Sequence, residues 1–144
     1  MQFEGNESVI RKMMKSLFGN KLYWIEQARG GSVGFPDALV PNEQDLLLPV
    51  ELKWMVAGKA KIRPAQIRFH VVSAAQGRKS ALIFGSFDPQ GNLIAFVVAG
   101  INCPRDGKVP EAIRFYFKTK EDLWQIFKDD CFWCGDKNEQ SGRS

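Results

Sequence analysis

The sequence predicts an α/β domain in which a mixed sheet is flanked by helices. Three observations predict it. Apolar residues recur at helical spacing near the start of the chain and again near its end. Short runs rich in branched and aromatic residues lie between them. The elements follow the order helix, three strands, helix, strand, which places helices on a sheet that is partly parallel. At 144 residues the chain has the length of one domain and can bury a substantial core. Residues 1–134 are assigned to that domain, and 135–144 to a polar tail expected to be disordered.

Each element has its own signal. Glu7 to Phe18 reads as a helix, because Val9, Ile10, Met13, Met14, Leu17 and Phe18 form one apolar stripe. Asn6 is its expected N-cap and Gly19 its stop. Lys21 to Gln27 reads as a strand, and Arg29 to Gly34 as a glycine-rich loop. Ala38 to Val40 opens a second strand, Pro41 to Asp45 is a polar turn, and Leu46 to Trp54 is a third strand. That third strand is apolar apart from Glu51 and Lys53, as a central strand should be. Pro64 starts a helix that runs to about Gln76, with Ile67, Val71 and Ala74 expected on its apolar face. Ala81 to Phe84 and Leu93 to Ala99 are two further strands. Ala112 to Phe117 reads as a short edge strand. Thr119 caps a last amphipathic helix to about Asp129, which should bury Leu123, Trp124, Ile126 and Phe127.

Composition excludes several classes. Hydrophobic content of 44% and charged content of 25% are ordinary for a soluble globular protein. No apolar run approaches the ~20 residues of a membrane helix. The first residues lack the basic and apolar regions of a signal peptide, so a cytoplasmic location is expected. Three cysteines make an odd count, and a disulfide framework is not expected. Cys131 and Cys134 have the spacing of half a zinc site, whose other half would need the isolated Cys103 and His70. Structural or incidental cysteines are therefore the expectation, with a zinc-binding adaptor as the weaker alternative. The net charge is only +4, but no Asp or Glu lies between Glu51 and Asp88. That stretch carries Lys53, Lys59, Lys61, Arg63, Arg68, Arg78 and Lys79, a segment suited to a polyanion.

The basic segment abuts a constellation of polar residues. Asp37 stands at the mouth of the second strand, and Glu51 and Lys53 lie on the third. The two strands form an expected antiparallel hairpin, which brings Asp37 and Glu51 together. Glu51 and Lys53 share a face because side chains alternate along a strand. Carboxylates are hard oxygen ligands for Mg²⁺ or Mn²⁺. A cation held by Asp37 and Glu51 would lower the pKa of a bound water and neutralise phosphate oxygens. Lys53 would orient that water or stabilise developing negative charge. The bland alternative is a structural ion pair.

Glu7 lies on the inward face of the first helix. It is either a third carboxylate at the metal or a first-turn Glu that complements the helix dipole, with Glu4 as its fallback. Gln66, in the first turn of the second predicted helix, is placed to hold the water or a phosphate oxygen. Ser32 is either a phosphate contact or a turn former. Arg29, Lys59, Lys61, Arg63 and Arg68 are the other expected DNA contacts. His70 is the only histidine and is expected to be a half-buried packing residue, which argues against histidine-based hydrolysis.

Gly34-Phe35-Pro36-Asp37, then Glu51-Leu52-Lys53, then Pro64-Ala65-Gln66 resembles the PD-(D/E)xK nucleases, and within them the VRR-NUC group and the Holliday-junction resolvases of archaea and phages. The resemblance covers about residues 7 to 86. It implies a restriction-endonuclease-like αβββαβ core, with a C-terminal strand and helix added, and Mg²⁺-dependent cleavage of DNA. It places the family's helix acid on Glu7, its strand carboxylates on Asp37 and Glu51, its lysine on Lys53, its glutamine on Gln66 and a loop serine on Ser32. It further implies a homodimer, and the compact size suggests a phage or mobile-element enzyme acting in a bacterial or infected host cell. A Holliday-junction resolvase is the expectation. A VRR-NUC-type nuclease of flaps, nicks or duplex ends, and a non-catalytic DNA-binding module of the same fold, are the alternatives.

Overall fold

The computed structural model describes residues 6–25 and 34–135. Glu4, Arg29 and Ser32, the end of the first predicted strand and the tail from residue 136 lie outside the described residues. The chain is mixed α/β. Among the described residues its helices are α1 (Glu7–Phe18), α2 (Pro64–Ala75), α3 (Lys120–Lys128) and α4 (Asp130–Trp133). Its strands are β1 (Tyr23–Trp24), β2 (Ala38–Pro41), β3 (Leu47–Trp54), β4 (Ala81–Phe87), β5 (Leu93–Ala99) and β6 (Phe115–Tyr116). They form one open sheet in sequence order, β1-β2-β3-β4-β5-β6. β3 and β4 are parallel, joined through α2, and the other neighbours are antiparallel. None of the described helices is long and apolar enough to cross a membrane.

Local chemistry explains the boundaries. Gly19 ends α1 in the left-handed region at φ +61°, donating its N–H to the Lys15 carbonyl. A 3₁₀ turn over Gly19–Lys21 then consumes the start of the predicted first strand, which leaves β1 with two residues. The Asn42 side chain accepts from the backbone of Gln44 at 2.8 Å and of Leu46 at 3.0 Å, closing the β2–β3 turn. Leu46 therefore belongs to the turn, and β3 begins at Leu47. Pro41 and Pro49 fall where a sheet neighbour is missing: β1 pairs only with Ala38 and Leu39, and β4 joins β3 only from Val50 onward. Thr119 and Asp122 cap α3 reciprocally, each side chain accepting the other's backbone N–H at 3.0 Å.

The sheet carries a core on each face. α1, α3 and α4 cover one, packing Ile10, Met14, Leu123 and Phe132 against Val50, Leu52, Ile83 and Val97. The other packs Leu82, Phe84, Phe96 and Val98 beneath Met55, Cys103, Val109 and Ile113, with Ile62 and Ile67 at its margin. Period-two alternation puts Glu51 and Lys53 on this second face, opposite Leu82 and Phe84 in the parallel register.

Four expectations need correction. α2 does not bury Val71, which is 37% exposed; its buried residues are Gln66, His70 and Ser73. The reason is tertiary: α2 lies over the polar part of the sheet, so its inward stripe is polar. His70 is fully buried rather than half-buried. Ala112 to Phe117 is a 3₁₀ turn, Glu111–Ile113, followed by the two-residue β6. Trp124 and Ile126 are partly exposed, whereas Leu123 and Phe127 are buried. Trp124 keeps its indole N–H near the surface, where it donates to the Pro41 carbonyl at 3.1 Å.

Candidate functional site

β3 outruns β2. Pairing between them stops at Ala38 opposite Val50, so among the described residues Glu51 to Trp54 have β4 as their only strand partner. Asp37 occupies the break. Its N–H donates to the Val50 carbonyl at 3.1 Å, and its Oδ2 accepts the Leu52 N–H at 2.8 Å. A carboxylate thus replaces the missing strand and satisfies an otherwise orphaned amide. Its own carbonyl accepts from Ile25 at 2.9 Å, which ties the break to the end of β1. Arg11 of α1 adds a cation, with Nη2 3.6 Å from Asp37 Oδ1 and its guanidinium 4.6 Å from the centre of the Trp24 ring.

Glu51 lies beside Asp37 and is almost fully buried. Burial first, and then a hydrogen bond with Asp37 and repulsion by its charge, push the Glu51 carboxyl up to about 10, against a smaller pull from Lys53. Glu7 adds a further upward push. Burial and the neighbouring Asp37 thus disfavour the charged form of the Glu51 carboxyl. Glu51 Oε2 accepts from Gln66 Nε2 at 3.2 Å, while Oε1 is buried with no donor. The other end of the Gln66 amide accepts the Arg63 N–H at 2.9 Å, so Gln66 spans the start of α2 and the acid on β3. A buried carboxylate oxygen without a partner, next to a second carboxylate, is a donor set that fits a hard divalent cation.

The structure thus brings together Asp37, Glu51, Lys53 and Gln66, with Glu7 close enough for its charge to act on Glu51. Among the described residues, no three His, Cys, Asp or Glu side chains are gathered into a metal-holding group. The convergence is a carboxylate pair, with Glu7 as a third charge at its edge. Glu7 and Lys53 meet Lys59 and Lys61 along a cleft of about 330 Å³ floored by Trp54 and Ala60. Arg63, at the N-cap of α2, and Arg68, on that helix, are exposed.

Sequence reasoning passed over three participants. Arg11 is one turn beyond Glu7, a spacing that marks it as inward-facing. Cys103 is buried close to Glu51, and burial first, then that neighbouring charge, push its thiol up to about 12; no local pattern reveals this. The third is a buried contact behind α2. His70 Nδ1 lies 2.7 Å from Ser80 Oγ, its Nε2 is buried without a partner, and burial lowers its pKa to about 4. Gly100 permits this approach, since a Cβ there would sit 2.2 Å from Ser80 Oγ. All three cysteines are free thiols, with Cys131 and Cys134 exposed on α4 and its end. No family model, curated protein or solved structure matches the chain.

Proposed function

We propose that the chain is a divalent-cation-dependent endonuclease acting on branched DNA, with a Holliday junction as its substrate. One observation carries the reading: a carboxylate pair, the half-buried Asp37 and the buried Glu51, sits where β2 leaves β3, with Lys53 two residues along the same face. The order α1, β1, β2, β3, α2, β4 supports it, because it is the αβββαβ sequence of elements that the PD-(D/E)xK resemblance implies. Asp37 and Glu51 would hold Mg²⁺ or Mn²⁺, which supplies a water of lowered pKa and neutralises phosphate charge. The residues around them have separate tasks. Gln66 fixes the Glu51 carboxyl in place through Oε2. The Leu52 amide does the same for Asp37. Lys53 presents its ammonium to the phosphate that undergoes attack, where charge develops. Lys59, Lys61, Arg63 and Arg68 hold the strand that leads to the cleft. Two copies, each cutting one strand, suit a two-fold junction.

The test is incubation with labelled four-way junction, flap, duplex and single-stranded DNA, in Mg²⁺ or in EDTA. Cutting of the junction in Mg²⁺ alone is expected, and Glu51→Ala should bind it without cutting. Normal cutting by Glu51→Ala overturns the assignment. Preference for flaps moves the reading to a VRR-NUC-type activity, and binding without cleavage in every condition moves it to a DNA-binding module.

A further inference from the structure

Phe35 stands two residues before Asp37, and its side chain is 46% exposed. Its backbone is nevertheless clamped. Gly34 has φ +93°, and a Cβ there would lie 2.5 Å from the Ala65 carbonyl oxygen, so the loop is seated on the first turn of α2. Pro36, on the other side, is buried. The Phe35 ring meets Phe69, one turn beyond Ala65, with centroids 5.6 Å apart and planes tilted by 47°. Phe69 rests edge-on against the buried His70 at 5.3 Å. An aromatic pair is thus braced against α2, two residues before Asp37 in the chain. Arg68, next to Phe69 on α2, and Arg63, at the N-cap of that helix, are both exposed, and the chain from 52 to 87 contains no acid.

We propose that Phe35, backed by Phe69, is a stacking platform for an unpaired nucleobase next to the Asp37–Glu51 pair. The identity of the ligand rests on the nuclease reading above. Every base offers a π-face, so an exposed aromatic ring with basic residues nearby binds single-stranded positions with little sequence preference. A fully paired duplex has no free face to offer. The platform therefore selects DNA that carries an unstacked nucleotide at the cleavage point. Clamping by Gly34 and Pro36 removes most of the ordering cost that a mobile ring would incur.

The test compares two DNAs of equal length and sequence, one fully paired and one with a single unpaired nucleotide, by equilibrium binding in EDTA. The full chain should favour the unpaired form by on the order of tenfold. Phe35→Leu keeps an apolar side chain without a ring and should lose most of that preference, whereas Phe35→Trp should keep it. The salt dependence should be the same in all three, because no phosphate contact changes. Phe69→Leu withdraws the backing ring and should weaken the preference in the same direction. Equal affinity of the wild-type chain for the two DNAs, or full preference in Phe35→Leu, overturns the platform. Cleavage in Mg²⁺ decides the nuclease reading separately. Cutting without discrimination sinks the platform alone, and discrimination without cutting leaves the platform and sinks the nuclease.

Discussion

Asp37 reaches past the last pair of the β2–β3 hairpin and accepts the Leu52 backbone N–H at 2.8 Å. A side chain on one strand thereby completes the hydrogen bonding of the next. Two roles meet on one carboxylate: it closes the end of a hairpin, and it stands beside Glu51 as half of an acidic pair.

Substitution separates those roles. Asp37→Asn keeps an oxygen for the Leu52 amide but lacks the charge that Arg11 and a cation require. Asp37→Ala also strands a buried donor, at a cost of roughly 1–3 kcal/mol. On the proposed nuclease reading both variants should lose cleavage, and only Asp37→Ala should show a lowered urea midpoint. Equal stability of the two would remove the structural role.

Glu51 is expected to weaken the cation-free fold at neutral and alkaline pH. Its carboxyl is raised in the folded chain from 4.5 to about 10, so the folded state carries a proton that the unfolded state releases. Its contribution to stability is full below pH 4.5 and is lost as pH rises toward 10. Glu51→Gln escapes this loss and keeps an oxygen for Gln66. At pH 8 and without divalent cation it should melt several degrees above the wild-type chain, on the order of a few kcal/mol. The gap should vanish at pH 4.5. Added Mg²⁺ should raise the wild-type melting temperature and leave Glu51→Gln unmoved.

His70 acts with the opposite sign. Burial lowers its pKa from 6.5 to about 4, so its contribution is present above pH 6.5 and is lost as pH falls through 4. In the Glu51→Gln background, where the opposing gain from Glu51 is absent, the urea midpoint should drop between pH 7 and pH 4.5. His70→Gln, less stable at pH 7, should show a flatter profile over that window. Identical slopes in the two proteins would mean that the ring gains its proton without cost.

Gly34→Ala tests the clamp at the mouth of β2. The substitution adds a left-handed backbone penalty to a 2.5 Å approach to the Ala65 carbonyl. A loss of about 2 kcal/mol or more is expected. On the proposed nuclease reading, cleavage should fall further than the melting temperature alone predicts, because Asp37 is three residues away. Hydrogen exchange at the Leu52 amide reports whether Asp37 has moved.

Residues whose partners are set by local periodicity were legible. α1 and β5 run between the residues that their apolar patterns mark, and Thr119 caps α3. Asp37, Glu51 and Lys53 were legible because a short turn fixes a hairpin register and a strand alternates. What stayed hidden depends on contacts between distant elements. Arg11 acquires its meaning from Asp37, Cys103 from Glu51, and His70 from Ser80 and Gly100. The inward stripe of α2 was misread for the same reason: helix periodicity says which residues share a face, and the surface underneath says which face turns in. β1 begins at Tyr23 and not at the expected Lys21 because a 3₁₀ turn took that first residue, and the expected end of the strand lies outside the described residues.

The lone parallel neighbours, β3 and β4, bear on the order of assembly. Antiparallel neighbours joined by tight turns zip locally, so the β2–β3 and β4–β5 ribbons are expected to form early. The two ribbons join only once α2 has looped across, a closure over a longer stretch of chain. Until then Glu51 is expected to face water and carry its charge. Docking of α2 strips that water away, so at neutral pH each molecule should take up a proton in its late folding step, and a pH-indicator dye in weakly buffered stopped-flow refolding would register it.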